Sequence, residues 1–162
     1  MQKKLVIIGN GMAGARVAEE IIKRAPEMFK IVMFGAEPYG NYNRILLSNV
    51  LNQSQRPEEI FLNPLTWYRE NGIFLYAGVK AVKIDTAHRC VVGYPLPAEV
   101  NAYDFSDGLF DRDAVVTEPY DHIIIATGSR PFVPPIEGQG LPGVFLFRTI
   151  DDCRRIAEFA HG

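Results

Sequence analysis

Leu5-Val6-Ile7-Ile8-Gly9-Asn10-Gly11-Met12-Ala13-Gly14 is the stretch whose reading decides the fold. Leu5 to Ile8 is a short unbroken apolar run, the pattern of a strand buried on both faces of a parallel sheet. Three glycines follow at G-x-G-x-x-G spacing, and helical periodicity begins at once. Met12, Ala15, Val17, Ala18, Ile21 and Ile22 recur at three- and four-residue intervals, with Glu19, Glu20, Lys23 and Arg24 between them. Pro26 ends the helix. Lys30 to Phe34 is a second apolar run of strand length. Strand, glycine turn, helix, strand is half of a doubly wound α/β unit.

In that setting the glycines carry chemistry. Gly9 permits the tight turn, Gly11 lets backbone approach a pyrophosphate, and Gly14 lets helix and strand pack closely. The helix N-terminus adds partial positive charge and N–H groups without helical partners. A glycine-rich turn with no ligand is the competing reading. Past the second strand, Glu37 stands about twenty residues beyond the last glycine, where an acid takes the ribose hydroxyls of an adenosine. A solvated loop glutamate is the alternative there. Tyr39-Gly40-Asn41-Tyr42-Asn43-Arg44 joins aromatics to a guanidinium that suits bidentate phosphate pairing, although a packed surface loop reads these residues equally well. Ala126-Thr127-Gly128-Ser129-Arg130-Pro131 ends a strand in small residues, which suits backbone passing close to a ligand, or an ordinary turn.

Between these landmarks, residues 35 to 55 are polar and aromatic, with a helical patch from Ile45 to Leu51. Asn63 precedes Pro64 as a capping residue for a helix from Pro64 to Asn71. Strand signals then dominate: Ile73 to Ala77, Val79 to Ile84, Cys90 to Gly93, Ala114 to Thr117 and His122 to Ala126. Tyr94 to Asp113 reads as a long surface loop within this strand-rich insert. Residues 130 to 143 form a proline- and glycine-rich connector, and Thr149 with Asp152 opens a last amphipathic helix from Ile150 to Ala160. The expected division is a dinucleotide-binding domain over 1–130, its β-meander insert at about 73–118, and a connector and helix over 131–162.

Composition narrows the classes. The chain has 162 residues, 48% apolar and 22% charged, with 17 basic against 19 acidic side chains and a net charge of −2. That balance excludes a disordered tail, a collagen repeat and a coiled coil. It offers no electrostatic footprint for nucleic acid or an anionic membrane. The longest apolar runs are of strand length, too short to span a bilayer. Cys90 and Cys153 form no C-x-x-C and stand far apart, which fits a reduced cytoplasmic protein. His88, His122 and His161 lack metal-ligand spacing, and the acids between Asp104 and Asp113 lack that of a calcium loop. No metal site and no catalytic acid, base or nucleophile is expected.

Taken together, these residues resemble the two-dinucleotide-binding-domain flavoproteins, the pyridine nucleotide-disulfide oxidoreductase superfamily. Within it they are similar to the N-terminal part of the large subunit of NAD(P)H-dependent assimilatory nitrite reductases. The resemblance rests on Ile8 to Gly14, Phe34 to Ser48 with its Asn-Tyr-Asn-Arg segment, Tyr120-Asp121, Ala126 to Pro131, and Phe147 to Cys153. It implies a Rossmann-like FAD-binding half, with the β-meander as its insert. It also implies FAD held by Gly9, Gly11, Met12, Ala13 and Gly14 at the pyrophosphate and by Glu37 at the ribose. Arg44 and Ser48 would lie near the diphosphate or flavin, the Val82 backbone at the adenine, and Ala126, Thr127, Gly128 and Arg130 on the other side. NAD(P)H would be the co-substrate and the remainder of a reductase chain the partner, with sirohaem and iron–sulfur ligands only in downstream regions. Residues 35 to 60 hold no cysteine, so the resemblance implies electrons leaving the flavin for a separate metal-centre acceptor rather than through a thiol relay. On this reading the chain is a fragment, a truncated product or a remnant. A ferredoxin or rubredoxin reductase fragment and a non-catalytic nucleotide-binding module are the alternatives.

Overall fold

The computed structural model describes residues 2–97 and 114–161. It divides into two compact units, one of residues 1–41 and 63–128, the other of 42–62 and 129–162.

The larger unit begins with β1 (Lys3–Ile8), α1 (Met12–Arg24) and β2 (Phe29–Gly35), within a residue or two of what the apolar pattern predicts. The chain leaves through β3 (Asn41–Tyr42) and, after a short helix α2 (Leu47–Leu51) in the smaller unit, returns through β4 (Phe61–Asn63). Then come α3 (Leu65–Glu70), β5 (Phe74–Ala77), β6 (Val79–Asp85), β7 (Cys90–Pro95), β8 (Val116–Pro119) and β9 (His122–Ile125). A four-stranded sheet in the order β5-β2-β1-β9 is parallel throughout. This confirms an α/β fold on a parallel sheet.

Each central strand is apolar on both faces because both are covered. Leu5, Ile7, Ile31 and Met33 meet Ala18 of α1 and Tyr68 of α3 in one core. Val6, Ile8, Val32 and Phe34 meet Val79 and Val91 in the other. The second cover is a three-stranded antiparallel sheet, β6-β7-β8, rather than helices. Glu118 of β8 pins it down: its carboxylate pairs with Lys4 Nζ at 2.5 Å and accepts from Tyr76 Oη at 2.9 Å, while only 8% of the residue is exposed.

Three local expectations change. Asn63 is not the cap of α3; the cap position is Pro64, and the Asn63 amide is taken by Asn41 and Glu19. The strand expected at Ala114 to Thr117 runs from Val116 to Pro119, because its register is set by pairing with β7. Pro119 is tolerated because β8 is an edge strand. β7 continues through Tyr94 and Pro95, Leu96 N donates to Gly78 O at 2.8 Å, and residues 98–113 of the expected loop lie outside the described residues.

The smaller unit holds a 3₁₀ turn at Arg44–Leu46, α2 and the last helix, α4 (Ile150–His161), which packs on α2. A reciprocal cap starts α4, as Thr149 and Asp152 predict. Asp152 Oδ2 accepts from Thr149 N at 2.8 Å, and Thr149 Oγ1 accepts from Asp152 N at 3.0 Å. Residues 131–143 contain neither helix nor strand.

Candidate functional site

Because β2, β1 and β9 are parallel neighbours, the segments after their C-terminal ends share one edge of the sheet. Those segments are Ala36 and Glu37, Gly9 to Gly14, and Ala126 to Gly128. In open α/β sheets this edge is where ligands bind.

The glycine loop is built to close tolerances. Gly9 N donates to Phe34 O at 2.9 Å, and Ala126 N donates to Ile8 O at 2.7 Å. Gly9 lies at φ +112°, and a Cβ there would stand 2.2 Å from Ala126 O. A Cβ on Gly14 would stand 2.0 Å from Gly9 O. Both glycines are therefore required by the protein itself. Gly11 differs: its φ of −81° and ψ of −172° are open to any residue, and a Cβ there meets nothing within 4 Å.

Gly11 is also the N-cap of α1, so no side chain caps the helix and no acid lies in its first turn. Met12 and Ala13 are exposed and Gly14 is buried. Lys23 and Arg24 occupy the last turn, where cations complement the helix dipole. The first turn is thus an uncapped, positive helix end at the ligand edge of the sheet.

Glu37 is half-buried two residues past β2, and its carbonyl accepts from Gly78 N at 3.1 Å, tying its loop to the β5–β6 turn. Val82 lies at a bulge: Ala81 pairs with Gly93 and Lys83 with Val92, so the ladder passes Val82 by and the residue is exposed. Thr127 and Gly128 are exposed, with Gly128 in the left-handed region at φ +71°.

Arg44, Ser48 and Arg130 belong to the smaller unit. Arg44 Nη1 donates to Tyr42 Oη at 3.0 Å and to Arg148 O at 2.8 Å, with the guanidinium 4.9 Å from the Tyr42 ring centroid. Part of its hydrogen-bonding capacity is therefore used inside that unit. Ser48 is exposed on α2 and Arg130 is exposed after Gly128. Cys153 is buried with Sγ donating to Leu47 O at 3.5 Å, and burial, with Asp152 beside it, pushes its thiol pKa up. Such a thiol is a poor nucleophile. Among the described residues no cluster of His, Cys, Asp or Glu is arranged to hold a metal, and no helix is long and apolar enough to cross a membrane.

Sequence reasoning missed Asn10. Its Nδ2 donates to Tyr39 O at 3.1 Å and its Oδ1 accepts from Tyr68 Oη at 2.6 Å, fixing the glycine loop from within. Only its place inside the fingerprint could have singled it out.

A sequence profile of the family described as pyridine nucleotide-disulphide oxidoreductase matches residues 3–160. The chain is 42% identical over 159 residues to an assimilatory nitrate reductase electron transfer subunit of Bacillus subtilis, covering 98% of this chain and 18% of that protein. It is 44% identical over 151 residues to a nitrite reductase [NAD(P)H] of the same organism, covering 93% and 16%. It therefore spans less than a fifth of either relative. Among solved structures, a water-forming NADH oxidase from Lactobacillus brevis superposes with a TM-score of 0.79 at 18% identity, over 99% of this chain and 32% of that one. A ferredoxin reductase from Rhodopseudomonas palustris gives 0.76 at 22%, over 97% and 34%. These two likenesses are of fold. With the profile match running almost end to end over a parallel sheet that carries the glycine fingerprint, the chain belongs to the pyridine nucleotide-disulphide oxidoreductase family.

Proposed function

We propose that this chain is the FAD-binding segment of an NAD(P)H-dependent flavin oxidoreductase of the nitrite-reductase type, cytoplasmic and serving nitrate assimilation. In the whole enzyme electrons pass from NAD(P)H to a metal-centre acceptor whose sirohaem and iron–sulfur ligands belong to other regions. Bound FAD supplies two-electron acceptance from a nicotinamide and one-electron release, which no side chain here provides.

One observation carries the reading. Gly9 and Gly14 are glycines because the protein's own backbone leaves no room for a Cβ, whereas Gly11 has open space in front of it. A glycine that packing does not require, at an uncapped helix N-terminus, fits a site where a diphosphate comes against the backbone. In this reading the first-turn N–H groups of Met12 and Ala13 bind the diphosphate, and Glu37 takes the ribose hydroxyls. The backbone at Val82, left out of its ladder, meets the adenine. Ala126, Thr127 and Gly128 line the remaining side of that edge, and by resemblance Arg44, Ser48 and Arg130 also serve FAD.

Support also comes from the relatives, one named as an electron transfer subunit of assimilatory nitrate reductase and the other as an NAD(P)H nitrite reductase. The test is titration of FAD with the purified chain, followed by flavin fluorescence. Saturable binding that ADP displaces is expected; no saturation at high micromolar concentrations overturns the proposal.

A further inference from the structure

A series of amide and phenol side chains runs behind the glycine loop, and nucleotide binding as described above makes no direct use of it. Tyr68 is 1% exposed, Asn63 3% and Asn41 4%, while Asn10 is half-buried. Tyr68 Oη donates to Asn10 Oδ1 at 2.6 Å and accepts from Asn41 N at 3.2 Å. Asn41 Nδ2 donates to Asn63 Oδ1 at 3.0 Å, and Asn63 Nδ2 donates to Glu19 Oε1 of α1 at 2.9 Å. The series thus links the glycine loop and its helix to Asn41 and Asn63, where the chain leaves the larger unit and returns.

Asn10 is the revealing member. Asparagine side chains bond readily to nearby backbone N–H groups, and this one stands directly before the N-cap of α1. Its amide nevertheless caps nothing: Oδ1 is taken by Tyr68 and Nδ2 by Tyr39 O. Room for this placement is provided by Gly35, where a Cβ would come within 3.0 Å of Asn10 Cβ. Buried polar series of this kind fix one arrangement, because any partly satisfied alternative is costly.

We infer that Tyr68, with Asn41 and Asn63 behind it, is a positioning residue for diphosphate binding: it restrains the Asn10 amide so that the first-turn N–H groups of α1 meet the ligand instead of the loop's own side chain. The inference rests on the nucleotide reading given above.

The test measures FAD and ADP affinity and thermal midpoint for the full chain and for Tyr68→Phe, Tyr68→Phe/Asn10→Ala, Gly35→Ala and Tyr76→Phe. Tyr68→Phe is expected to weaken both ligands about ten-fold. Adding Asn10→Ala, which deletes the unrestrained amide, is expected to recover at least half of that loss on a logarithmic scale. A purely structural role gives no such rescue. Gly35→Ala, which displaces the same amide without touching Tyr68, is expected to weaken ADP at least three-fold and stands in if Tyr68→Phe fails to fold. Tyr76→Phe removes a phenol hydroxyl from the opposite core; it is expected to lower the midpoint and leave affinity within two-fold.

Wild-type affinity in Tyr68→Phe, a double variant weaker than Tyr68→Phe, wild-type affinity in Gly35→Ala, or an equal loss in Tyr76→Phe each overturns the inference. If the wild-type chain binds neither ligand, the nucleotide reading itself has failed.

Discussion

Gly11→Val and Gly14→Ala should separate the glycine that a ligand requires from one that the protein requires. In Gly14→Ala the new methyl lands 2.0 Å from Gly9 O and 3.1 Å from Gly9 C. Both obstacles are backbone, so relief demands that α1 move off β1. Overpacking costs about 1–3 kcal/mol where side chains can yield, and this site sits at the upper end of that range. Gly11→Val adds its Cβ where nothing lies within 4 Å, at a φ and ψ that valine adopts. The remaining penalty is that of a poor N-cap, about 1 kcal/mol. Binding should respond in the opposite order. A side chain on residue 11 keeps a diphosphate from the first-turn N–H groups, and losing two charge-assisted hydrogen bonds of about 1.5–3 kcal/mol each amounts to about 3–6 kcal/mol. That corresponds to a Kd weakened roughly 10²- to 10⁴-fold. Thermal melts of the apoprotein and flavin fluorescence titrations on the same preparations measure both sides. If Gly11→Val binds FAD within three-fold of wild type, or loses as much stability as Gly14→Ala, the division of roles among the glycines is refuted.

Other consequences follow from the cores and caps. Burial pushes the Tyr68 phenol up to about 12, so its contribution is complete below pH 10. Between pH 10 and 12 the unfolded chain ionises first, and about 3 kcal/mol is lost; urea titrations across that range should show a shallower alkaline decline in Tyr68→Phe. Glu118→Ala leaves Lys4 and the Tyr76 hydroxyl without their shared partner and should cost about 2–4 kcal/mol by chemical denaturation. Thr149→Val removes the hydroxyl that accepts from Asp152 N and should cost about 1 kcal/mol, seen as a lower thermal midpoint.

The β1–α1–β2 unit was legible because its determinants are local. Strand length, the glycine spacing and the 3.6-residue period all fall within one continuous stretch, and Pro26 marks its end. The edge of the sheet that carries the candidate site was legible for the same reason. β3 and β4 were not: each is two or three residues long and exists only through its partner, so neither leaves a period in the sequence. The β8 register went astray because its pairing with β7 depends on residues far earlier in the chain. Asn63 was misassigned by a sound local rule, since asparagine before proline is a good cap. Here two buried partners, Asn41 and Glu19, outcompete the helix end for its amide.

That competition accounts for why Asn10, Asn41, Asn63 and Tyr68 left no joint signature. Each is an ordinary loop or helix residue in its own neighbourhood, and only the fold brings their hydrogen-bonding groups into series. The fingerprint glycines present the reverse situation, a conspicuous motif whose members answer to different demands. Backbone crowding explains Gly9 and Gly14 with no ligand at all, and a turn that merely packed tightly would need those two. No atom of strand, helix or neighbouring loop forbids a Cβ at Gly11. The case for a ligand therefore rests on Gly11, the one glycine of the fingerprint that the protein's own backbone does not crowd. The Asn10 amide beside it, held by Tyr68 Oη and Tyr39 O, strengthens that case, because it leaves the first-turn N–H groups of α1 without a side-chain partner.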